Sequence, residues 1–258
     1  MRKLTGFFFL FFSVITLAQE SLFTLLDNSK TGIDFSNDLV DTEEHSIFLY
    51  ANYYGGAGVG IGDFDNDGLD DIFLAANLID DKIYKNLGNF KFEDKTEKSG
   101  IINNGSWSTG VTVADVNNDG LLDLVYGNWE GNHRMFVQKN GRFENIANKT
   151  FESKSKVRTV LSADFDNNGF EEIFFNNIGE PNRLFEYNEF LGVWESKNLG
   201  PALEPNGLGT GAVVADLNLN GRLELFISHG ESGRQPLTCL LYTSPSPRDV
   251  EEYRMPSS

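Results

Sequence analysis

Four copies of one acidic nine-residue string constrain this chain more than any other feature. They read DFDNDGLDD from Asp63, DVNNDGLLD from Asp115, DFDNNGFEE from Asp164 and DLNLNGRLE from Asp216. Their first aspartates lie 52, 49 and 52 residues apart, so one supersecondary unit recurs along the chain. Each copy is preceded by an alternating or small-residue run: GAGVGIGD, GVTVAD, RTVLSAD or GAVVAD. Each is followed by a short apolar run: IFLAA from Ile72, LVYG from Leu124, IFFN from Ile173 and LFIS from Leu225. Runs of this length, rich in β-branched and aromatic residues and bounded by turn signals, predict strands buried on both faces. The acidic string is then the loop of a β-hairpin.

Two further strands follow within the unit. KIYKN and FKFED flank Leu87 and Gly88, and RMFVQ and RFENI flank Asn140-Gly141, a pair that favours a tight hairpin turn. Four short strands per repeated unit predict an all-β fold made of β-propeller-type blades. Separate β-sandwich domains are the alternative, but they do not explain the regular spacing. No amphipathic helix longer than two turns is evident.

The loop has the chemistry of a hard-cation site. Such a cation needs six to eight oxygen ligands, which a tight loop supplies when carboxylates or amides alternate and a glycine permits the sharp turn. In the first copy Asp63, Asp65 and Asp67 take positions 1, 3 and 5, Leu69 offers its carbonyl at position 7, and Asp71 takes position 9. The second set is Asp115, Asn117, Asp119, Leu121 and Asp123; the third is Asp164, Asp166, Asn168, Phe170 and Glu172; the fourth is Asp216, Asn218, Asn220, Arg222 and Glu224. Position 12, where a helix-flanked EF-hand carries its bidentate glutamate, is Leu74 or Tyr126 here, so these are not EF-hands. All-oxygen ligands point to Ca2+ rather than Mg2+, which resists full dehydration. Asx-rich turns that close hairpins without metal are the rival reading; four copies sharing aspartate at 1, glycine at 6 and an acid at 9 favour the metal. The loop carboxylates number four, three, three and two in chain order, so affinity is expected to fall along the chain, with the fourth loop empty or structural.

The flanking regions divide the chain. Residues 1–18 combine Arg2 and Lys3, an apolar run from Phe7 to Leu17 and Ala18, the pattern of a secretory signal peptide. The run is shorter than the roughly 20 residues of a spanning helix. Residues 19–54 are expected to pack on the repeats of residues 55–238. The string CLLYTSPSPRD from Cys239 resembles a translated sequencing-library adapter, so residues 239–258 are read as a non-native tail. It contains the one cysteine, so neither disulfides nor thiolate metal sites are expected. Residues 19–238 carry 17 basic and 35 acidic side chains, a net charge of −18 that disfavours nucleic acid and favours cations or basic surfaces.

Other candidates are weaker. GLGTGA from Gly207 fits a loose dinucleotide fingerprint, but a strand rather than a helix should follow, so close backbone packing is the better reading. His45, His133 and His229 are far apart in sequence; His229, near Glu231 and Arg234, suggests at most a small polar loop. Trp107, Trp129 and Trp194 suit either blade packing or a sugar platform. Asn104 and Asn148 head glycosylation acceptor strings. No G-x-S-x-G elbow or spare acid/base pair is evident.

The loops with their flanking strands resemble FG-GAP or VCBS repeats, the blades of integrin-α-type propellers. FTLLDNSKTGIDFSN, KIYKNLGNFKFEDKTEKSGI, LVYGNWEGNHRMFVQ, VRTVLSADFDNNGFEEIFFNN and GRLELFISHGESGRQPL are similar to the cartilage acidic protein 1 family. Members of that family usually carry an ASPIC/UnbV region. No such region is present here, so the resemblance is to a truncated member with an incomplete propeller. It implies a secreted, periplasmic or cell-surface Ca2+-binding protein that adheres to an extracellular protein or glycan, without stable membrane insertion and without catalysis. A polysaccharide-active enzyme or glycan-binding protein on the same scaffold is the alternative.

Overall fold

The computed structural model describes residues 22–50, 53–102, 105–129, 131–146, 155–188, 190–197, 208–230 and 238–243. The signal-like segment, Asn104, Asn148, Glu231 and Arg234 lie outside these residues.

The fold is all-β, built of antiparallel blades in chain order. The first blade comprises β1 (Val59–Gly62), β2 (Asp71–Leu74), β3 (Lys82–Asn86) and β4 (Phe92–Asp94). The second comprises β5 (Ser108–Ala114), β6 (Asp123–Asn128), β7 (Arg134–Lys139) and β8 (Arg142–Asn145). The third comprises β9 (Lys156–Ala163), β10 (Glu172–Ile178), β11 (Arg183–Asn188) and β12 (Val193–Lys197). A fourth follows with β13 (Leu208–Ala215), β14 (Glu224–Gly230) and β15 (Thr238–Thr243), linked to the third at Ile178↔Leu208. The described helices are two single turns, α1 (Asn28–Thr31) and α2 (Thr96–Ser99). None of the described helices is long and apolar enough to cross a membrane.

Strands buried on both faces follow from where the cores lie. Alternate side chains of a strand point to opposite faces, and here each face meets a different blade. Leu124 and Tyr126 of β6 join Phe64, Phe73 and Phe136 in a core between blades one and two. Val125, between them, joins Val160, Ile173, Phe175 and Trp194 in the next core. Phe174 of β10 turns the other way, to Leu184, Leu225 and Ile227. Removing a ring as enclosed as Phe174 is expected to cost about 3–5 kcal/mol.

The first strands β1, β5, β9 and β13 neighbour one another, and small residues set their spacing. A Cβ on Gly110 would stand 2.7 Å from the Val160 nitrogen, closer than side-chain atoms come to backbone. Gly209, in the GLGTGA string, lies in β13 in the same close-packed manner, with the Asn177 carbonyl 2.6 Å from where its Cβ would be. That string therefore leads into a strand, as expected.

At the ends of the blades opposite the acidic loops, N-terminal residues form a cap. Tyr53, Trp107 and Trp129 pack with Leu39 and Tyr50, and the Tyr50 and Trp129 rings lie 4.0 Å apart. Asn37 and Asn77 exchange hydrogen bonds at 2.9 and 3.0 Å. At the other end of the chain β15 pairs with β14 from His229↔Thr238 to Glu224↔Thr243. It contains the start of the adapter-like string; an open sheet edge accepts any β-prone apolar segment, so this pairing is indifferent to the segment's origin.

A second repeat, in backbone-to-side-chain hydrogen bonds, runs through the first three blades. The Ala76 N–H donates to Asp81 at 2.8 Å, the Asn128 N–H to His133 Nδ1 at 3.2 Å and the Asn177 N–H to Asn182 at 2.8 Å. All three acceptors are buried and stand 52 and 49 residues apart, the spacing of the loops.

Candidate metal centre

Each acidic loop is closed by its own first aspartate. Asp63 accepts the N–H groups of Asp67 (3.0 Å) and Gly68 (2.7 Å); Asp115, Asp164 and Asp216 accept from positions 5 and 6 in the same way. Position 5 accepts the position 7 N–H in all four loops, through Asp67, Asp119, Asn168 and Asn220. Position 6 is glycine with φ between +82° and +91°, a left-handed conformation that explains the invariant residue. Position 4 is also left-handed, with φ of 55°, 54°, 58° and 58° at Asn66, Asn118, Asn167 and Leu219. Asparagine tolerates this backbone better than other side-chain-bearing residues.

Position 4 has a second role that sequence reasoning missed. The Asn118 side-chain N–H donates to the Gly169 carbonyl at 2.8 Å, and that of Asn66 to the Gly120 carbonyl at 3.4 Å. The first three loops are thereby strung along one rim.

The acid at position 9 is buried in every loop and accepts the position 2 N–H: Phe64 to Asp71, Val116 to Asp123, Phe165 to Glu172 and Leu217 to Glu224. In the first two blades a further N–H comes from the third strand, Asn86 to Asp71 and Gln138 to Asp123, each at 2.7 Å. Glu172 is one methylene longer, and its Oε1 is buried without a hydrogen-bond partner. Burial pushes the carboxyls of Asp71, Asp123 and Glu172 upward against these N–H bonds, the last two to about 7.

The loops differ in what they assemble. Asp63, Asp65 and Asp71 bring one oxygen each to within 4.8 Å of one another, as do Asp164, Asp166 and Glu172. Among the described residues the second and fourth loops form no such triad. In the second, Asn117 takes position 3 and donates to Asp119 at 3.1 Å. In the fourth, Asn218 donates to Glu224 Oε1 at 2.8 Å, so an amide already fills the place of a cation. Three carboxylates this close repel one another, by about 4 kcal/mol per pair at 4 Å and an effective dielectric of 20. A divalent cation converts that repulsion into attraction, so the first and third loops fit one.

The FG-GAP-like repeat family matches residues 63–126 and 115–175, taking in the first three loops and their exit strands. Cartilage acidic protein 1 of Xenopus tropicalis is 37% identical over 226 residues, which cover 83% of this chain and 35% of that protein. The Homo sapiens protein of the same name is 42% identical over 201 residues, 73% of this chain and 30% of that protein. The chain carries FG-GAP-like repeats and is similar to cartilage acidic protein 1. It spans about a third of the length of the curated relatives it matches. The crystal structure of the V. cholerae biofilm matrix protein Bap1 aligns with a TM-score of 0.41 at 14% identity, over 72% of this chain and 34% of that one.

Proposed function

We propose that this chain is a secreted Ca2+-binding repeat protein that serves as an extracellular interaction module without catalysis. The observation that carries the metal reading is Glu172: a carboxylate oxygen, fully enclosed and without a partner, beside Asp164 and Asp166. An orphaned buried oxygen of this kind is costly unless something satisfies it. Bound Ca2+ would draw on the acids of the first and third loops and supply charge neutralisation; the chain's own part is to hold the oxygens convergent through the N–H bonds of positions 2, 5 and 6. The ion then pins the loops, and surfaces that the loops position are left for a partner.

The partner we assign to those surfaces is a protein rather than a glycan. Trp107, Trp129 and Trp194 are 4, 9 and 5% exposed, the first two packed in the N-terminal cap and the third between blades, so they present no platform to a sugar. The signal-like N-terminus supports secretion. Calorimetric titration with Ca2+ tests the metal reading: Glu172→Gln should remove one binding site and leave the melting temperature of the metal-free protein nearly unchanged. Equal Ca2+ stoichiometry in wild type and variant would contradict the assignment.

A further inference from the structure

We propose that Lys85 is a cationic latch on the first loop, and that Ca2+ and the Lys85 ammonium exclude each other there. This rests on the Ca2+ reading of that loop. Lys85 sits on β3, and its Nζ contacts Asp65 Oδ2 and lies 2.8 Å from Asp67 Oδ2. These are positions 3 and 5, so one ammonium holds an oxygen from each of two acids expected to bind the ion. The triad left to converge is Asp63, Asp65 and Asp71, without Asp67.

Among the described residues the latch is particular to this blade. At the unit spacing, the residues corresponding to Lys85 are Val137 and Glu186. The third loop meets a lysine from a different strand, Lys197 of β12, whose Nζ lies 3.1 Å from Asp166 and 3.0 Å from Glu186. That lysine touches one loop acid and one acid outside the loop, whereas Lys85 bridges two acids of the same loop.

A dication bound through Asp65 and Asp67 would stand within a few ångströms of the ammonium, and two like charges so close are not both retained. The lysine has somewhere to go. Its side chain is 26% exposed, so the ammonium can swing out into water. The loop with the most carboxylates therefore is not the tightest by default: Lys85 lowers its affinity, and Ca2+ binding frees an amine.

Two measurements test the latch. In a Glu172→Gln background, which leaves the first loop as the remaining three-acid site, Lys85→Met should tighten Ca2+ binding roughly 2- to 5-fold, the scale of one partly exposed ion pair. Lys85→Arg should bind as Lys85 does. In the unmutated chain, acetylation of Lys85 by an amine-reactive ester, read by mass spectrometry against Lys91, should rise several-fold when Ca2+ is added. Ca2+ binding with unchanged Lys85 labelling, or with equal affinity in Lys85→Met, overturns the latch and leaves the metal reading standing. No heat of Ca2+ binding in any variant overturns both.

Discussion

The Asn118 side-chain amide donates to the Gly169 carbonyl at 2.8 Å, so the second acidic loop is bonded directly to the third. The same side chain keeps its backbone at φ 54°. Asn118→Gly retains the conformation and removes the bond, and should destabilise the protein by about 1 kcal/mol. Asn118→Ala loses both and should cost more, about 2 kcal/mol in all. Urea unfolding of the two variants separates the terms; equal, negligible losses would show that the rim bond contributes nothing.

Leu219 occupies the same left-handed position in the fourth loop, with φ 58°, and is 88% exposed. A branched apolar side chain gains nothing there and strains the backbone. Leu219→Asn should stabilise the protein by about 0.5–1 kcal/mol, seen as a higher urea midpoint. A lower midpoint would refute the position 4 rule.

His133 is buried, accepts the Asn128 N–H, bonds Ser155 at 2.9 Å and stacks on Phe175. Burial, with the nearby Arg183 charge, lowers its pKa to about 4. The unfolded chain therefore binds a proton between pH 6.5 and about 4 that the folded chain refuses. Stability from this group is full above pH 6.5 and is lost toward pH 4, at up to about 1.4 kcal/mol per pH unit. His133→Asn copies the third blade, where Asn182 makes the equivalent bond, and should abolish this slope while leaving the blade folded. Denaturant titrations from pH 7.5 to 4.5 on both proteins check it through their difference.

Strand order, the four loops and the cores between blades were legible because period-two alternation and Asx-Gly turns are written in residue type. The polar tie at Asp81, His133 and Asn182 was hidden, because three different side chains do one job, accepting an N–H five residues back. His133 thus looked like an isolated histidine. The difference between the second and third loops was hidden by counting: both carry three carboxylates, yet those at positions 1, 3 and 9 converge and those at 1, 5 and 9 do not. Burial of the three tryptophans depends on the cap and on neighbouring blades, which local pattern does not encode.

If the convergent triads are what bind the ion, the expected order of the loops is not a steady decline along the chain. Ca2+ binding should be lost in steps by Asp63→Asn and Glu172→Gln, while Glu224→Gln changes the stoichiometry not at all. Calorimetric titration of the three single variants checks this order; loss of a site in Glu224→Gln would overturn the reading of Asn218 as an internal substitute for the ion.

The central claim, that the convergent carboxylates of the first and third loops bind Ca2+ and hold the blades together, is tested most directly by differential scanning calorimetry of the unmutated chain. With millimolar CaCl2 the melting temperature should rise by several degrees and return to its starting value with chelator, as expected when a ligand binds only the folded state. NaCl or MgCl2 at matched ionic strength should reproduce little of the shift, even for a chain of net charge −17. A melting temperature indifferent to Ca2+, or one raised equally by NaCl, would contradict the account.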